Sequence, residues 1–177
     1  MPPEYAPPAQ PFGATVPPDQ AAVRRSWLRV VGCTALSFSM YNFWWFYVTR
    51  KQLSRELGTH DRAGLQTLGQ FVPILNFVIA HWLWRDVSEL RRRTGLAPFE
   101  VAPYTAGNVV ATVFGLQYVV YALILEKLNQ YFDRSRGGRA PEAPFTTGEI
   151  LVTVVPLVLG GLFVTLIIVS IFATAAE

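Results

Sequence analysis

Cysteine is nearly missing: Cys33 is the single one, so an internal disulfide is excluded, and the lack of any CxxC pair excludes thiol redox motifs and cysteine-based zinc sites. Histidine occurs only at positions 60 and 81, and no P-loop, GxSxG elbow or HExxH helix is present. No catalytic, cofactor-binding or metal-binding residue is therefore expected, and the chain reads as non-enzymatic. Charge is also sparse. Charged residues make up 15% of the 177, against 51% hydrophobic and 14% aromatic, too little for an ordinary globular surface.

The charge that exists is segregated. Lys and Arg are missing from residues 30–49, 65–84, 101–125 and 150–177, four windows that can each cross a hydrocarbon core about 30 Å thick at 1.5 Å per residue. The expected fold is all-α: a polytopic membrane helix bundle of four transmembrane helices, the first three continuing as basic amphipathic extensions. The net charge of +3 is spread beside these windows and forms no single patch, so the partner it implies is anionic lipid, with no nucleic acid.

Residues 1–22 carry seven prolines and no opening cationic run, which predicts a disordered tail and no signal peptide. Residues 23–136 form the expected three-helix membrane core, 137–149 a loop, and 150–177 an additional C-terminal transmembrane helix. Segment one, residues 26–57, passes from five consecutive aromatics (43–47) into Arg50, Lys51 and Arg55 and stops at Gly58. Trp and Tyr favour the headgroup level and Arg and Lys the water beyond it, so these cations are expected headgroup contacts. Arg29, inside the first turns, is expected to snorkel to the interface. Segment two repeats the scheme with Arg91, Arg92, Arg93 and a stop at Gly95; its apolar half holds Pro73, which predicts a kink or a re-entrant first half. Segment three carries Gly107, Ala111 and Gly115 at four-residue spacing, a stripe expected to pack another helix, and segment four carries Gly160 and Gly161 as a second notch.

Orientation is undecided by charge. With four spans, Lys plus Arg number 7 on one side and 8 on the other. Dual insertion, or a re-entrant segment two that keeps the basic exits together, would resolve the tie. Both termini are placed in the cytoplasm, which avoids exporting the tail that ends in Arg24 and Arg25. Asn42, Asn76, His81 and Gln117 are the candidate intramembrane polar site, either joining helices by amide hydrogen bonds or lining a small channel or transporter.

Tyr41, Trp45 and Tyr47 form a YxxxWxY element at the first membrane exit, and Leu128, Asn129, Tyr131 and Phe132 form a later LNxYF element. In these the chain resembles a family of small bacterial integral membrane proteins known only as a domain of unknown function. The resemblance covers about residues 27–135 and implies an inner-membrane, multi-pass protein of three or so core helices, with no catalytic residue or ligand. The expected role is structural or partner-binding, alone, as a homo-oligomer or with a membrane protein partner.

Overall fold

The computed structural model describes residues 23–60 and 62–175, with side chains through 173; the proline-rich tail expected over 1–22 lies outside them. Among the described residues the fold is all-α: α1 (Trp27–Leu36), α2 (Met40–Leu57), α3 (Ala63–Gly69), α4 (Pro73–Arg93), α5 (Val101–Val113), α6 (Gln117–Ser135) and α7 (Thr147–Ala175). The single long helix expected in each of the first three segments is therefore corrected to a broken pair. Among the described residues only α7 is long and apolar enough to cross a membrane, over Thr147–Ala173 with a mean hydropathy of 2.7.

Each break has a local cause. After α1, the Ser39 N–H reaches back to the Thr34 carbonyl at 2.8 Å, while Phe38 and Ser39 sit at φ 50° and 72°, a left-handed turn that non-glycine residues adopt at a cost of about 1 kcal/mol each. The Ser37 hydroxyl then accepts the Tyr41 N–H at 2.8 Å, which starts α2. Between α3 and α4 the chain turns at 70–72 and Pro73 opens the new helix, at the position where its missing N–H is harmless. At the third break, Leu116 N–H bonds the Ala111 carbonyl at 2.7 Å and Gly115 N–H that of Thr112 at 3.2 Å. Gly115, at φ 69°, ends α5 here and stands in the turn beyond the helix that carries Gly107 and Ala111.

The broken pairs double back. Arg25, just ahead of α1, donates to Gln52 Oε1 of α2 at 3.2 Å, although a straight helix would hold those residues about 40 Å apart. Arg50 donates both to Gln66 on α3 and, at 2.7 Å, to Asp86 on α4, which would stand about 30 Å apart if straight. Arg91 donates to the Ala97 carbonyl ahead of α5 at 3.3 Å and to Gln130 on α6 at 2.7 Å. The described residues thus form three helical hairpins and one long helix.

The hairpin bases meet at one end. Asn129 on α6 clamps the Arg25 backbone, accepting its N–H at 3.2 Å and donating to its carbonyl at 2.9 Å, and Arg24 pairs with Asp133 at 3.3 Å. Toward the tips, Phe43 stacks on Phe71 with centroids 4.4 Å apart and Trp45 lies edge-on to Tyr121 at 5.1 Å, so the tips lie together at the other end. Between the two ends is the core: Tyr41, Trp45, Phe46, Leu53, Leu83, Trp84, Val87, Leu90, Ile124 and Leu128 are all buried. Relative to exposure in water, each large apolar side chain there contributes about 1.5–3 kcal/mol.

Helix α7 runs beside the first hairpin. A Cβ on Gly160 would stand 2.3 Å from Phe38 Cε2, so the first tip rests against α7 eleven residues beyond Glu149, about 16 Å along its axis. From Gly161 to 173 every residue is exposed. Gly160→Ala is expected to cost about 1 kcal/mol, at the low end for overpacking because the exposed Phe38 ring can turn aside. Gly161→Ala, whose Cβ meets nothing within 4 Å, should be neutral or slightly stabilising. Thermal unfolding of both variants in detergent measures the difference; equal shifts would mean that Phe38 does not pack there.

Candidate membrane interface

The surface divides sharply along the hairpin axis. At the tips, large apolar side chains point outward: Phe38 is 62% exposed, Ile74 80% and Phe114 71%, with Leu36, Met40, Phe71, Val72, Val113 and Leu116 beside them. Such a patch is far larger than single scattered apolar residues, the ordinary condition of a protein surface. Alongside it α7 is exposed and apolar for most of its length. Lys and Arg side chains are missing from all three tips and from α7.

At the bases the cations divide into two groups that the sequence does not distinguish. Arg50 and Arg91, expected at the headgroups, are buried: Arg50 is held by Gln66 and Asp86, Arg91 by the Ala97 and Lys127 carbonyls and Gln130. Both expectations are corrected for the same reason, because each guanidinium is the bolt that closes a hairpin and its donors are committed to that hairpin. Arg55, Arg92 and Arg93 are exposed, and Lys51 is half-buried with its ammonium 5.8 Å from the Tyr47 ring. Glu89 ties Arg92 and Arg93 together at 2.9 and 3.1 Å, and the hydrogen bonds from Arg92 first and then Arg93 hold its carboxyl below the usual range. On α6, burial first and then the hydrogen bond it donates to Glu56 at 2.7 Å push the Tyr131 hydroxyl above its ordinary value.

The most demanding polar feature is one that the sequence pattern did not bring forward. Arg29 and Glu149 form a two-pronged ion pair, with 8% and 1% of their side chains exposed. Arg29 also donates to the Ala143 and Pro144 carbonyls and lies over the Phe145 ring at 3.7 Å. The Tyr41 hydroxyl donates to Glu149 Oε1 at 2.7 Å. Arg29 is thus not snorkelling; it is matched to a carboxylate in the first turn of α7. What hid the pair is distance, since Glu149 lies 120 residues on and one position outside the expected fourth helix. A visible signal existed: a lone carboxylate immediately ahead of an uncharged run of 27 residues.

Two of the four candidate intramembrane polar residues have hydrogen-bond partners on other helices. Asn42 donates to the Tyr121 hydroxyl at 3.1 Å, joining the first and third hairpins. The His81 ring nitrogen Nδ1 lies 3.0 Å from the Thr105 hydroxyl, joining α4 to α5. Asn76 and Gln117 are half-buried in the first turns of α4 and α6. The partners of Asn42 and His81 thus lie outside the set of four, and each bond ties one helix to another. Of the packing residues, a Cβ added at Gly107 or Gly161 would meet nothing within 4 Å, and Ala111 packs partly against the core.

Two depressions lie among the described residues. A cleft of about 810 Å³ at the bases is lined by Arg24, Trp27, Glu126, Asn129, Asp133 and Arg139, with both signs of charge. A groove of about 560 Å³ between α2, α3 and α7 is almost wholly apolar, lined by Phe43, Trp44, Tyr47, Phe71, Val155 and Pro156 among others. No three His, Cys, Asp or Glu side chains come together as metal ligands would among the described residues. No family model, curated protein or solved structure matches the chain.

Proposed function

We propose that the chain is a non-enzymatic, structural membrane protein in which α7 alone spans the bilayer and the three hairpins dip into one leaflet from the side that carries the cations. The observation that carries this reading is the doubling-back itself, which gathers the cations at one end and the exposed apolar tips at the other. Helix α7, at 29 residues, is about 43 Å long, more than the roughly 30 Å hydrocarbon core. Helices α1 and α5, at 10 and 13 residues, reach only about 15–20 Å and suit one leaflet. Backbone at the turns is tolerable at that depth because the turn N–H groups are bonded within each hairpin.

The charge tie also disappears. All 15 Lys and Arg precede α7, so a single span sets every cation on one side, which the positive-inside rule assigns to the cytoplasm. The C-terminus then lies across the membrane from the basic face, in place of two cytoplasmic termini. Arg55, Arg92 and Arg93 remain as contacts for anionic headgroups, at about 1 kcal/mol each. The likeness of Tyr41, Trp45 and Tyr47 to a family of small bacterial membrane proteins supports the same setting, the inner membrane.

Single cysteines at His60, Ala97 and Gly138, placed in a Cys33→Ser background, test the topology. These exposed loop positions should all be labelled by an impermeant thiol reagent from one and the same face. Four spans would set 97 on the face opposite 60 and 138, and that labelling pattern would overturn the proposal.

A further inference from the structure

We infer that this protein bends the membrane it occupies, convex toward its basic face. The inference rests on the one-leaflet placement proposed above and adds an activity to it. Six of the seven helices belong to the hairpins, and the first hairpin ends where its tip meets Gly160. Beyond that level α7 continues for fifteen residues, and every described side chain among them is exposed. One leaflet therefore receives up to seven helix cross-sections and the other receives one.

The imbalance is large on a molecular scale. A helix about 10 Å across occupies roughly 80 Å², so six additional helices in one leaflet add on the order of 500 Å² that the other leaflet lacks. The wedge is stiff. Each hairpin is closed at its base by a buried arginine, and neighbouring hairpins are pinned by Asn42 to Tyr121 and by Phe43 on Phe71. A protein that cannot flatten transfers the mismatch to the lipid, and the bilayer accommodates it by curving away from the crowded leaflet.

Such a shape couples orientation to curvature, and that coupling is measurable without changing the fold. Full-length protein carrying only the Ala97→Cys label site in the Cys33→Ser background is reconstituted into mixed zwitterionic and anionic phospholipid vesicles, either small and sonicated or large and extruded. External labelling gives the fraction with the basic face outward. In small vesicles the outward orientation is expected to exceed the inward by roughly threefold, falling toward parity in large ones, as a bias of under 1 kcal/mol produces. Equal fractions at both sizes, with positions 60, 97 and 138 still labelled from one face, would overturn the curvature inference alone. Labelling of 97 on the face opposite 60 and 138 would overturn the one-leaflet placement as well.

Discussion

Arg29→Ala is expected to lower the unfolding free energy in detergent by about 3–5 kcal/mol, the largest effect of any single charge substitution in the chain, because it strands the Glu149 carboxylate at 1% exposure. The ion pair itself need not be strongly stabilising. Desolvating two charges costs nearly what their attraction returns, so the double variant Arg29→Met with Glu149→Leu should recover most of the loss. Chemical or thermal unfolding of the single and double variants makes the comparison. A single variant shifted by less than about 1 kcal/mol would mean that water reaches the pair, as it reaches surface ion pairs. Such access would also undercut a position for Glu149 inside the folded bundle.

Trp45→Ala should match that loss by an unrelated mechanism. Trp45 is fully buried, edge-on to Tyr121 at the junction of the first and third hairpins, and removing it leaves a cavity that the surrounding helices cannot fill, at about 3–5 kcal/mol. Trp45→Phe should cost far less. The indole Nε1 of Trp45 has no hydrogen-bond partner among the described residues, so the smaller ring forfeits volume but no bond. Unfolding measurements on the pair of variants are decisive, since a phenylalanine as damaging as alanine would require a partner for that N–H.

The two sequence elements that carried the family resemblance turn out to be junctions. Tyr41 and Trp45 seal the first hairpin to α7 and to the third, Asn129 clamps the chain ahead of α1, and Tyr131 reaches Glu56 on α2. Their spacing was legible, and so were the helix ends: Gly58, Gly95 and Gly137 all adopt the left-handed conformation that stops a helix, each after a basic last turn. The turns inside the apolar windows were harder to see. Hydropathy counts how apolar twenty residues are and carries no information on whether they run straight or double back. Ser37, Phe38 and Ser39 include neither glycine nor proline, so nothing local announced the first turn. Gly115 did announce the third, but its four-residue spacing from Ala111 and Gly107 favoured a packing stripe. Only Pro73, with its restricted backbone, left a break in view. The bolts at Arg50 and Arg91 could not be separated from the exposed cations beside them, because burial is decided by partners far along the chain, Asp86 and Gln130.

The ion pair between Arg29 and Glu149 also sets an order of assembly. A chain emerging from the ribosome folds from its N-terminus, yet the first hairpin carries an arginine whose carboxylate is made 120 residues later. Until the start of α7 has been translated, that hairpin holds an unmatched charge on the face it must bury. Its final seating therefore waits for the last helix to arrive, so that the element made first is among the last to be locked.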